Sequence, residues 1–397
     1  MSDVESMWRT LAPLGHTSSG YRRRPYDAAE TEMRAWFVEE AQARGLVVEG
    51  DGLGNLVAWW GPDDAPAVLT GSHLDSVPDG GAFDGPLGVV SALGAVDLLR
   101  ERGVAPVKRL GVSVFAEEEG SRFGIACLGS RLVTGSLTWE RARELRDAEG
   151  RALPDVLAAS GLDGVPMGLD GVEAFVELHV EQGRGLVDLD APVGMAACIW
   201  PHGRWRFDFT GEPNHAGTTR MEDRADPMLT YAVTALSAAK QARLTGQRAT
   251  FGRVAVEPNS TNGIPSRVTA WLDARCATDA ELERLVAVIS EQAAARAERD
   301  GTWVMVTAES VSPSVDFPAD LAARLGPGLP VLPTQAGHDA GVLAAAGIPT
   351  AMMFVRNPTG VSHSPEEHAE MADCLAGVDA LADALERLVA PGEGDDA

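Results

Sequence analysis

The chain has 397 residues, 45% hydrophobic and 23% charged, an ordinary globular composition that excludes a disordered, collagenous or small disulfide-stapled protein. That length exceeds the ~250–300 residues a single core usually fills and suits two domains. With 33 Lys and Arg against 58 Asp and Glu the formal charge is −25, which argues against nucleic acid and anionic membrane surfaces as partners. One local Arg can still hold a carboxylate substrate. No apolar run reaches the ~18 residues of a membrane span. The N-terminus, MSDVESMWRT, has neither a basic flank nor an apolar stretch, so no signal peptide is expected. Cys127, Cys198, Cys276 and Cys374 are far apart with no CxxC pair, which fits free thiols and a cytoplasmic location.

In chain order, residues 28–44 read as an amphipathic helix and 66–72 as a buried strand. Residues 85–102 read as a helix with Leu87, Val90, Gly94 and Leu98 on one face. Residues 109–116 and 174–180 read as further strands, so strands alternate with helices as in an α/β sheet. From about Trp205 the pattern becomes half-exposed: strand, helix at 226–242, strands at 249–256 and 267–275, helix at 279–299, strand at 303–308. After Ser312 the α/β texture returns, with a helix at 341–346, a strand at 350–355 and a closing helix at 370–389. We therefore expect a larger discontinuous domain, 1–205 and 315–397, with an α+β domain of four strands and two helices inserted at 206–314. Only the tail, 393–397, reads as disordered.

Five clusters carry chemistry. His73 follows directly on the 66–72 strand, at the sheet edge where α/β proteins bind ligands, and Asp75 is placed to orient its ring. Asp84 precedes the 85–102 helix. Glu117, Glu118 and Glu119 follow the 109–116 strand; three adjacent carboxylates need water, a cation or a raised pKa to coexist. Glu177, His179 and Glu181 alternate on one face of a buried strand, which demands partners for each. His363 follows the 350–355 strand. Singly, each has a plainer reading: a core histidine, an N-cap at Asp84, a solvated acidic loop. Together they put imidazoles and carboxylates, without thiolates, on one edge of one sheet. That donor set suits Zn, Mn, Co or Ni, and five donors suit a two-metal hydrolytic site. In the inserted domain, His215, Asn262 and Arg275 read singly as a loop hydrogen-bonder, a turn residue and a partner of Asp273.

The motifs GSHLDSVPDGGAFDGPLGV, AEEEGSRF, ELHVEQG, GEPNHAGTTRMEDRADP and GVSHSPEE span nearly the whole chain. In that order they resemble the M20-type binuclear metallohydrolases, in the amidase/hydantoin-utilisation branch of allantoate amidohydrolases, N-carbamoyl-L-amino-acid hydrolases and β-ureidopropionases. The resemblance implies a zinc-peptidase-like α/β catalytic domain with a mixed sheet and a homodimer formed through the inserted domain. It implies two divalent metal ions per subunit, Mn or Zn, with Co and Ni also compatible. His73 and His179 would hold one metal, Glu119 and His363 the other, and Asp84 would bridge them. Glu118 would be the general base, a register softened by the extra acid Glu117. Gln182, His215, Asn262, Arg275 and Gly337 match substrate-contacting positions, with His215 reaching the partner's site and stabilising the oxyanion. Arg275 and Asn262 would hold the substrate carboxylate, and the division of roles implies domain closure around a small ureido acid. A peptidase or aminoacylase of the superfamily is less favoured by ELHVEQG and GSRF. A non-catalytic binding protein would lack a ligand or the base. A Ser or Cys nucleophile finds no GxSxG elbow. The stretch from Phe354 to His363 looks most like allantoate amidohydrolases of ureide (purine) catabolism.

Overall fold

The computed structural model describes residues 4–391; the expected disordered tail, 393–397, lies outside them. The chain forms two compact units. One runs to Cys198 and resumes at Asp316, and the other is Ile199–Val315.

The larger unit is built on a nine-stranded mixed sheet. Its order is Val315–Asp316, Val193–Ile199, Thr350–Val355, Val172–Val180, Ala67–His73, Arg109–Phe115, Leu56–Trp60, Val47–Gly50, with Val331–Thr334 beside Val193–Ile199. The four inner strands, from Thr350–Val355 to Arg109–Phe115, run parallel, and their outer neighbours are antiparallel. Every residue of Ala67–His73 and Thr350–Val355 is buried, as in parallel strands covered on both faces. This is why neither shows an apolar/polar alternation. Register pairs His73 with Phe115 and His179 with Phe354, so the carboxyl ends of the inner strands share one edge.

The helix Pro86–Glu101 differs from its sequence reading. Instead of one buried face, every residue from Pro86 to Val96 is buried, while Leu98 is only partly so. It lies against the inner strands on one side and the helix Met371–Val389 on the other. Gly88, Ser91, Ala92, Gly94 and Ala95 keep its girth small enough for that sandwich. The closing helix presents Val378, Leu381 and Leu385 to the same core.

The smaller unit opens ahead of residue 206, its first strand being His202–Thr210. Its antiparallel sheet has the order Arg248–Glu257, Arg267–Arg275, His202–Thr210, Trp303–Ser312. The helices Pro227–Thr245 and Asp279–Asp300 pack on it over a core that includes Phe207, Phe209, Leu272 and Ile289. Asp226 and Thr278 cap these helices through side-chain bonds to Met228 N and Glu281 N, and left-handed Gly246 and Gly301 end them. Among the described residues no helix is long and apolar enough to cross a membrane, and all four cysteines are free.

Gly85 joins the motif loop to the buried helix at φ +83°, and a Cβ there would lie 2.5 Å from the His73 ring and 2.7 Å from its carbonyl oxygen. Gly85→Ala is expected to cost about 2–4 kcal/mol, from left-handed strain plus overpacking. Gly45→Ala, at φ +65° with nothing within 4 Å, is expected to cost only ~1 kcal/mol. Urea denaturation of both variants checks the difference.

Candidate metal centre

Four inner strands deliver the site. His73 ends Ala67–His73, and the Glu117–Glu119 loop follows Arg109–Phe115. His179 lies at the end of Val172–Val180, and His363 follows Thr350–Val355. Asp84 comes in from the loop before the buried helix. It does not cap that helix, whose N-cap is Gly85.

The five donors form two groups that share Asp84: His73, Asp84 and His179, then Asp84, Glu119 and His363, each with its ligand atoms within 4.8 Å of one another. His73 Nδ1 contacts the Asp75 carbonyl at 3.1 Å, and His179 Nδ1 the Val180 carbonyl at 2.9 Å. A carbonyl only accepts, so Nδ1 carries the proton in each neutral ring and Nε2 presents a lone pair. Both Nε2 atoms are buried without a hydrogen-bond partner, 3.5 and 3.1 Å from Asp84 Oδ1. His363 Nε2 stands 3.4 Å from both Asp84 Oδ2 and Glu119 Oε2. Lone pairs aimed at carboxylate oxygens need positive charge between them, as ring protons or as a divalent cation. Orphaned imidazole nitrogens with hard oxygen donors fit such a cation. The same demand appears in the titration behaviour. Burial alone would push Asp84 up, yet His179, His363 and His73 hold its carboxyl well below the usual range. Burial pushes Glu118 well above it, with Asp339, Glu119 and Asp75 adding to the rise. Burial, with Asp84 nearby, brings Glu119 to about 7.

The remaining acids are sorted by what their oxygens touch. Asp75 was expected to orient the His73 ring through its carboxylate. That carboxylate instead accepts from Glu118 N and Glu119 N, both at 3.1 Å, and is 3.6 Å from the ring, which its carbonyl holds. Glu117, at φ +56°, accepts from Arg122 N at 2.9 Å and Phe123 N at 2.7 Å. Glu177 accepts from Ser72 Oγ and Ala340 N, both at 2.8 Å, and also stands near His179 and His338. Glu181 accepts from Gly185 N and Leu186 N and caps a short helix. Glu118 keeps its oxygens near the donors, Oε2 at 3.7 Å from His73 Nε2 and Oε1 accepting from Cys127 Sγ at 3.3 Å.

Gln182 Nε2 donates to Asp84 Oδ2 at 2.7 Å and lies 3.3 Å from His363 Nε2. Gly337 is exposed and precedes His338. The sequence reading gave His338 no role, yet its ring lies 4.5 Å from that of His179, buried, with Nε2 unpartnered. A Gly-flanked histidine before a helix was the available signal. The smaller unit holds His215, Asn262 and Arg275. His215 and Asn262 are neighbours in a two-stranded turn, with His215 Nδ1 accepting from Gly217 N and Asn262 O accepting from Ala216 N. Arg275 pairs with Asp273 at 2.8 Å.

The sequence profile of Peptidase family M20/M25/M40 matches residues 69–387. The N-carbamoyl-L-amino acid amidohydrolase of Geobacillus stearothermophilus is 37% identical, covering 96% of this chain and 97% of its own. The allantoate amidohydrolase of Escherichia coli is 31% identical over 92% of each chain. A crystal structure of a hydantoinase/carbamoylase family amidase from Burkholderia vietnamiensis superposes with a TM-score of 0.88 at 30% identity, covering 98% of each chain. The chain thus belongs to Peptidase family M20/M25/M40 and is a metal-dependent amidohydrolase.

Proposed function

We propose that the chain hydrolyses the carbamoyl (ureido) C–N bond of a small N-carbamoyl acid, with release of ammonia and CO2. The observation that carries this reading is the pair of His/Asp/Glu groups sharing Asp84, with the Glu118 carboxylate beside them. His73 and His179 would hold one divalent cation and Glu119 and His363 a second, with Asp84 common to both groups; Mn and Zn are the expected ions. Such cations would supply acidification of a water and polarisation of the substrate carbonyl. Glu118 is the general base. It takes the proton of the attacking water and returns it to the leaving nitrogen, its Oε2 standing 3.7 Å from His73 Nε2 beside the donors. Asp75 fixes the main chain on which Glu118 and Glu119 stand. Arg275 and Asn262 bind the substrate carboxylate through charge-assisted hydrogen bonds, His215 stabilises the oxyanion, and Gln182 and Gly337 complete the substrate contacts.

Within this class we take allantoate as the substrate on the sequence from Phe354 to His363. A specific observation favours N-carbamoyl-L-amino acids as the second reading. In the structure Arg356 is committed to Asp373 and Asp190, and Asn357 to its own loop, so these residues build the loop rather than select a substrate. The relative of that activity is also the more similar one, at 37% against 31%.

We also propose that the smaller unit forms a homodimer. The helix Pro227–Thr245 leaves Leu229, Val233, Leu236 and Leu244 exposed, at 43, 37, 74 and 70%. Their spacing keeps them on one face. The strand Arg248–Glu257 that follows stands at the edge of its sheet.

Metal-stripped protein is expected to release no ammonia, and Mn or Zn to restore release from one of allantoate, N-carbamoyl-L-amino acids or 3-ureidopropionate assayed in parallel. Release from none of them, with metal bound, would refute the ureido reading. Glu118→Gln is expected to lower kcat by about 10²–10⁴-fold with metal content unchanged, checked by steady-state kinetics and elemental analysis. Leu236→Glu is expected to halve the mass measured by light scattering, leaving the thermal midpoint of the remaining monomer measurable.

A further inference from the structure

Glu367, which the sequence reading left without a role, touches the metal centre from behind. Its side chain is nearly fully buried. Oε1 accepts from Phe83 N and Asp84 N, both at 2.9 Å, and Oε2 accepts from Ser362 Oγ at 3.1 Å. We infer that Glu367 is a positioning residue for the metal centre: a single carboxylate that holds the loop ending in Asp84 against the loop carrying His363. The inference rests on the metal-centre reading above and adds to it a group that ties together the loops of two of its donors, Asp84 and His363.

Three observations support the assignment. The two N–H groups precede the helix that begins at Pro86, so no helical carbonyl takes them, and without Glu367 both are buried donors lacking an acceptor. The main chain at Gly81 passes so close that a Cβ there would lie 2.5 Å from Glu367 Cβ and Cδ, so the loop is shaped around this side chain. His363 is 50% exposed and stands at φ +56°, and packing alone does not hold it. Its loop is tied on one side by Asn357, which binds Val361 O, Thr359 N and Gly360 N, and on the other by the Glu367–Ser362 contact. Ser362 Oγ in turn lies 3.4 Å from Asp84 Oδ2, closing a ring through both loops.

The test is a calorimetric titration of metal-free full-length protein with Mn²⁺, alongside its metal-free thermal midpoint, for wild type, Glu367→Ala, Glu367→Gln and Gly81→Ala. Glu367→Ala is expected to weaken Mn²⁺ binding by about 10–100-fold. Gly81→Ala, which displaces the same carboxylate from the other side, is expected to act in the same direction. Glu367→Gln keeps one oxygen for both N–H groups and is expected to retain most of the affinity. Wild-type affinity in Glu367→Ala, or a lowered metal-free midpoint with unchanged Mn²⁺ affinity, would show a merely structural residue and overturn the proposal. So would Glu367→Gln as weak as Glu367→Ala. A wild type that binds no Mn²⁺ would instead bring down the metal-centre reading itself, and this inference with it.

Discussion

The structure depends on one buried carboxylate. Asp84 is 4% exposed and has three imidazole nitrogens within 3.5 Å. An ion of that kind costs several kcal/mol to remove from water, and only close positive charge with satisfied hydrogen bonds offsets it. The surroundings supply both. The amino end of the buried helix begins just beyond Asp84, where the helix dipole favours negative charge. Gln182 donates to one carboxylate oxygen, and Glu367 fixes the backbone from which the side chain projects. Glycine at position 85 is the consequence, because the chain must turn in contact with the His73 ring.

The acids around the site divide by a simple criterion. Asp75, Glu117, Glu177, Glu181 and Glu367 all give carboxylate oxygens to main-chain N–H groups of neighbouring segments. Those carboxylates act as loop staples. Asp84, Glu118 and Glu119 direct oxygens at imidazole nitrogens, although Glu119 Oε1 also accepts from Val77 N at 3.4 Å. Staples must be ionised or well donated to; oxygens facing nitrogens must share protons or cations. This is why adjacent Glu117, Glu118 and Glu119 can coexist. The left-handed turn at Glu117 sends its carboxylate to Arg122 N and Phe123 N, away from the other two.

That division also sets what the sequence could tell. Strand and helix positions were legible because burial imposes a period: the strands Arg267–Arg275 and Thr350–Val355 lie where the apolar pattern put them. The donors were legible because imidazoles and carboxylates at the ends of apolar runs conflict with burial unless they have partners. The staples were not. Glu367 bonds to an amide 283 positions away, and nothing local in SPEE distinguishes it from a solvated loop acid. The main-chain contacts of the Asp75 carboxylate were hidden for the same reason. Its neighbour in sequence is the ring, but its neighbours in space are Glu118 N and Glu119 N. The helix Pro86–Glu101 was legible in its position, but its all-round burial was not, because such a helix has no polar face to reveal its orientation.

The same logic explains how a large insertion fits inside a chain whose site needs sub-ångström order. Parallel strands require crossovers, and each crossover returns the next strand with its carboxyl end at the same edge, so donors distant in sequence meet without special arrangement. The Ile199–Val315 segment interrupts no such crossover between donor strands other than the one leading to Thr350–Val355. There the chain ends on either side of the insertion are neighbours in the larger sheet: Val193–Ile199 lies beside Val315–Asp316, and Phe317 N donates to Ala197 O at 3.0 Å. An insertion whose ends are hydrogen-bonded to each other leaves the host sheet closed at that point. The donor edge therefore takes its geometry from the larger unit's own strands, and the half-exposed pattern of the inserted sheet is free to follow the demands of a different surface.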